Sequence, residues 1–107
     1  MNKIKLILYF IIIFLVLDVI TTLIGLSLGG VELNPILIYL TAITNLSLEL
    51  IVILTHIIAI IYILLVIKFI KLKESKINLI LCSGVLLLYV IVVHLNALQI
   101  VIYFVTL

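Results

Sequence analysis

The sequence predicts an all-α integral membrane protein, with three spanning helices and a short interfacial or re-entrant helix after Pro35. Three observations carry that expectation. The chain has 107 residues, 69% of them hydrophobic, with a mean hydropathy of +1.76. No soluble domain of this length hides so much apolar surface. Its apolar runs are as long as a bilayer is thick, since a spanning helix needs about 20 such residues. Finally, the lysines cluster where loops are expected, and the polar groups within the apolar runs are few.

The first span is expected over about 4–28, ending at the Gly29–Gly30 pair, which suits a helix C-terminus. Lys3 and Lys5 before an apolar run imitate a secretory signal, but the run is too long and lacks a small-residue cleavage site, so it reads as a retained helix. Asn34–Pro35 has the form of a helix start, with Asn as cap and Pro in the first turn. From Ile36 to Ile70 the chain is almost wholly apolar, which as one helix would measure ~52 Å, too long for a ~30 Å hydrocarbon core. Thr44, Asn45, Ser47 and Glu49 divide it into a short helix, 35–45, and a second span, about 48–70. The third span is expected over 77–95, with a bend or interfacial tail over 96–107, because His94, Asn96 and Gln99 interrupt its apolarity. The whole chain, 1–107, forms a single transmembrane domain.

Lys3 and Lys5 flank one end of the first span, and Lys68, Lys71, Lys73 and Lys76 surround the loop between the second and third. The positive-inside rule therefore places the N-terminus and the Lys71–Lys76 loop in the cytoplasm of a multi-pass cell-membrane protein. A net charge of +2 gives no footing for nucleic acid. The single cysteine, Cys82, allows neither an internal disulfide nor a multi-cysteine metal site.

Asp18 is the one charged residue within the first apolar run. A carboxylate at that depth costs roughly 2.5–3.5 kcal/mol on insertion scales, so it calls for a partner, a proton or an ion. At ~1.5 Å per residue, Asp18 lies ~20 Å from the lysine side and His56 ~18 Å. His94 falls at ~27 Å, and Glu32, Asn34, Glu49 and Asn96 near the outer boundary. Asp18, Thr21, Thr22, Gly25 and Gly29 share one helical face, and Gly25 and Gly29 extend a small-residue ladder that lets helices approach. Glu49, His56 and Ala59 share a stripe on the second span, as Ser83 and His94 do on the third, and each stripe is expected to face inward.

The candidate binding residues are therefore Asp18, Thr21, Thr22, Glu32, Asn34, His56 and His94. Carboxylate and imidazole donors suit a divalent transition metal, for which Asp18, His56 and Glu32 are the candidate ligands. Each also has a plainer reading. The threonines can bond their own helix, the glycines and Asn34–Pro35 can serve as packing and punctuation, and Glu32 can be a solvated loop charge. Glu49 can answer the helix dipole, and His94 can sit at the interface. Asp18 and His56 can form a structural bond between helices: a direct contact near ~2.8 Å marks that case, and an ion held between them marks a metal.

The stretch DVITTLIGLSLGGVELNP, residues 18–35, resembles an uncharacterised family of small archaeal and bacterial membrane proteins known only as a domain of unknown function. The matching positions are Asp18, Thr21, Thr22, Gly29 or Gly30, Glu32, Asn34 and Pro35, a D-x-x-T-T…G-x-E-x-N-P pattern. The resemblance implies a polytopic membrane protein and carries over no catalytic residue.

Three functions remain open. An outward-facing polar pocket can bind a proton, a cation or a small polar ligand, in a homo-oligomer or with a larger membrane-protein partner. An accessory or structural subunit is the alternative. A membrane-embedded metallo- or other hydrolase is the least supported, since no H-E-x-x-H occurs and Ser83 lies too far inward for His94.

Overall fold

A computed structural model describes residues 2–30, 35–69, 71 and 73–107. Among them are four helices: α1 (Lys3–Ser27), α2 (Pro35–Thr44), α3 (Leu48–Phe69) and α4 (Lys76–Val105). α1, α3 and α4 are long and apolar enough to cross a membrane, and α2, at 10 residues, is not.

Local chemistry sets the helix ends. Asn2 caps α1, its side-chain oxygen accepting from the Ile4 N–H at 2.7 Å. At the other end Gly30 N–H donates to Gly25 O (2.9 Å) and Gly29 N–H to Leu26 O (3.0 Å), with Gly29 at φ +90°. That is a Schellman closure, in which the left-handed residue favours glycine. A Cβ on Gly30 would lie 2.8 Å from the Gly25 carbonyl oxygen, so this turn needs both glycines. Asn45, at φ 57°, ends α2, and Ser47 then starts α3 by accepting from the Leu50 N–H (3.3 Å). Ser75 caps α4 in the same way through the Asn78 N–H (3.1 Å).

The expected bend near residue 95 is absent. α4 runs unbroken for 30 residues, ~45 Å, which exceeds the hydrocarbon thickness. No glycine or proline follows Gly84, and neither His94 nor Asn96 breaks the backbone ladder. A helix of this length must tilt or project beyond the bilayer.

α1 is the central helix. It packs most extensively on α4 and next on α3, whereas the Cα atoms of α3 and α4 nowhere approach within 8 Å and α2 packs on α3. The result is a flattened layer of 47 × 34 × 18 Å. The buried positions of α1 are Ile4, Ile11, Leu15 and Asp18, a seven-residue repeat along one seam. Leu37, Ile51 and Val52 form a second buried cluster with Leu23, Leu40 and Leu48 packed against it. Large apolar side chains cover the remaining surface of all three long helices, as a hydrocarbon solvent requires.

Candidate functional site

The seam of α1 carries Asp18 into the interior, where the residue is 8% exposed. One oxygen, Oδ1, accepts from Thr22 Oγ1 (3.2 Å), one turn along the same helix, and from Asn96 Nδ2 of α4 (3.0 Å). The other, Oδ2, lies 2.7 Å from His56 Nε2 of α3. One carboxylate thus ties the central helix to both of its neighbours. Asn96 Nδ2 also lies within bonding distance of Thr21 Oγ1 (3.2 Å) and Thr22 Oγ1 (3.1 Å), so an amide with two hydrogens faces three acceptors. Thr21 donates its own proton to the Leu17 carbonyl (2.8 Å). Among the described residues every buried side-chain nitrogen and oxygen has a partner.

The histidine geometry restricts the proton count. His56 Nδ1 lies 2.7 Å from the Val52 carbonyl oxygen. A carbonyl can only accept, so Nδ1 carries a hydrogen. One further proton lies on the line between Nε2 and Asp18 Oδ2. On the nitrogen it makes an imidazolium–carboxylate pair, and on the oxygen a neutral imidazole and carboxylic acid. The two forms differ only by the position of that proton, and the net charge of the pair is zero in both.

A groove of about 470 Å³ opens beside the pair. Asp18, Thr21 and Thr22 of α1, Thr55 and His56 of α3, and Tyr89, Asn96 and Gln99 of α4 supply its polar lining. Leu15, Leu26, Leu37, Val92 and Leu95 supply much of the apolar lining, and no lysine or arginine contributes. A second cavity of about 390 Å³ shares Gly25, Gly30 and Gln99 with the first and reaches Gly29 and Tyr103. The two together lead from Asp18 to the turn that closes α1.

Of the residues singled out in the sequence, Asp18, Thr21, Thr22 and His56 meet. His94 does not join them. Its Nδ1 donates to its own helix at Val90 O (2.7 Å), and the residue is exposed on the flank of α4 away from the groove. Ser83 is exposed as well, so the Ser83–His94 stripe is not the one that α4 turns inward. The inward face is Cys82, Leu86, Tyr89, Val93, Asn96 and Ile100, spaced by threes and fours. Glu49 is exposed at the start of α3. Glu32 and Asn34 lie outside the described residues. Among the described residues nothing lies within 4 Å of where a Cβ on Gly25 or Gly29 would stand, so none of the described helices packs closely on that ladder.

Asn96 is the main addition. Counting from Lys76 puts it ~30 Å up its helix, apparently at the boundary. Contact with Asp18 puts it level with a residue only ~22 Å along α1, because α4 does not share α1's origin and axis. The seven-residue step from Tyr89 was the signal that could have found it. Thr55, Tyr89 and Gln99 follow from the same packing.

The donor set bears on the metal expectation. Asp18 and His56 stand 2.7 Å apart, a hydrogen-bond distance, whereas an ion bridging them would hold each at ~2.0–2.2 Å on separate sides. Among the described residues no third carboxylate, imidazole or thiolate joins them.

No curated protein and no solved structure matches the chain. A family model does match, over residues 9–102, which takes in α1 from its second turn, all of α2 and α3, and most of α4. On that match the chain belongs to the family described as a domain of unknown function, DUF5658.

Proposed function

We propose that this protein is a membrane-embedded binding module whose groove, floored by the Asp18–His56 pair, holds a small polar ligand together with an exchangeable proton. The observation that carries the reading is the position of a groove of about 470 Å³, mostly apolar with several converging polar side chains, against a buried carboxylate–imidazole pair inside otherwise apolar helices. Ionisable groups at such depth mark ligand or proton sites more often than scaffolding. Sites for small molecules are typically concave, of a few hundred Å³, and mostly apolar with a few converging polar groups. With the lysine-bearing end in the cytoplasm, the groove opens toward the outer side, past Gln99 and the Gly29–Gly30 turn.

Water access tests this directly. In a Cys82→Ala background reconstituted in lipid vesicles, Gln99→Cys is expected to react with a water-soluble maleimide. Leu98→Cys, on the exposed apolar flank of α4, is expected to be inert. Equal inertness at both positions would remove the groove reading.

A second reading, an accessory subunit or homo-oligomer, draws on the open space beside Gly25 and Gly29 and on the gap between α3 and α4. A bulky Gly25→Leu, whose Cβ meets no atom of the described residues within 4 Å, tests the second reading through the assembly state alone, because Gly25 also lines the groove. It shifts the molecule to monomer if the ladder holds a partner, and leaves the assembly unchanged otherwise.

A further inference from the structure

We infer that the lysine-bearing end of the molecule is a docking rim for anionic phospholipid headgroups of the leaflet that meets it. The inference is independent of the groove reading. All six basic residues of the chain are lysines, and the structure gathers them at one end. The Asp18–His56 contact sets the relative level of α1 and α3. From it Lys5 lies ~20 Å away along α1, and Lys68 ~18 Å away along α3 toward the same end. The Lys3 N–H donates to the Glu74 carboxylate, which holds the start of α1 against the segment before α4, where Lys71, Lys73 and Lys76 stand. Glu74 is the one acid within the segments that form this end, 2–5 and 68–76. Its carboxylate is engaged by a backbone N–H and not by a lysine. Among the described residues no lysine ammonium pairs with a carboxylate, and that of Lys68 stands 5.2 Å from the centroid of the Phe69 ring. The rim therefore carries a positive charge that the chain itself does not neutralise.

Two observations select a lipid over an acidic soluble protein or a nucleic acid. Apolar side chains stand beside the charges: Phe69 is 71% exposed next to Lys68, and Ile77 is 69% exposed next to Lys76. At a bilayer boundary the apolar side chain enters the acyl region while the lysine stem carries its ammonium out to the headgroups. A soluble partner offers no such division. The rim also lacks arginine, whose planar fork suits fixed, bidentate phosphate recognition, and uses a compact charge on a flexible stem, which suits mobile headgroups. Lysines beside a spanning helix attract anionic lipid over a distance set by ionic screening. Lysines also direct insertion, but that task ends once the helices have crossed, and the ammonium groups remain exposed at headgroup level.

The test uses the full chain reconstituted in phosphatidylcholine vesicles, with spin-labelled phosphatidylglycerol or phosphatidylcholine as the probe. Electron paramagnetic resonance reads the fraction of each probe slowed at the protein surface. A preference of about fivefold for phosphatidylglycerol is expected at low salt, the worth of one lysine held at an anionic surface. In about 1 M salt, where the screening length falls to ~3 Å, the preference should drop to near unity. Lys68→Gln, Lys71→Gln, Lys73→Gln and Lys76→Gln combined should abolish it. Equal association of the two lipids at low salt assigns the lysines to insertion alone and overturns the inference. So does a preference that survives high salt or the glutamine changes. Displacement of the lipid by soluble glycerol phosphate overturns it too, by marking a site for free phosphate. The salt comparison needs no substitution, so it decides the matter even where the glutamine variant fails to fold.

Discussion

The inner face of α3 and the outer flank of α4 each carry one histidine, and in both the ring Nδ1 donates to the carbonyl four residues back over 2.7 Å. The local structures match. The surroundings do not: His56 Nε2 meets Asp18, whereas His94 lies exposed. A helix can therefore satisfy half of an imidazole by itself, wherever that imidazole sits. What the second nitrogen meets depends on which face the helix turns toward its neighbour, and that decides between a site and a surface residue.

The largest expected effect breaks the inner region at its centre. Asp18→Leu leaves His56 and Asn96 facing a side chain that cannot accept from either. At about 1–2 kcal/mol for each of the two interhelical bonds, the loss should be roughly 2–4 kcal/mol, read from unfolding in mixed micelles. Asp18→Asn should recover most of it, since an amide can still bond both partners. The comparison of the two histidines comes next. His56→Ala should cost about 1–2 kcal/mol, and His94→Ala should stay within about 0.5 kcal/mol. Equal losses would show that the bond to the helix carbonyl, common to both, sets the energetics. The smallest contrast lies on α4. Asn96→Leu, which removes a donor to Asp18, should cost about 1 kcal/mol, while Ser83→Ala on the opposite flank should be close to neutral. A larger loss at Ser83 would mean that the outer flank of α4 is covered by another protein.

Much of the architecture was legible in the residues themselves. The bounds of the first two spans, the short helix after Pro35 and the break near Asn45 all follow from apolar length and capping chemistry. These properties are local, and the bilayer tolerates few alternatives. Asp18 and His56 were legible for a related reason: each is a costly residue near the same depth of a span, and cost implies a partner. The third span was read less well. Polar residues at 94, 96 and 99 look like an interruption when each is assumed to contest the backbone, but His94 bonds back to its own helix and Asn96 bonds across to another.

By itself, then, the order of residues determined a bilayer protein, the number of its spans, the length of the first two, and the acid and imidazole that must be neutralised within it. Only the packed helices decided that Asn96 rather than His94 completes the cluster, and that α1 stands between α3 and α4, whose backbones stay apart. The physical reason is rotational. Apolarity on every side of a membrane helix gives no hydrophobic stripe to point inward, so the face each span presents is set by which side chains can bond across the interface, a property of pairs of helices and not of any one of them.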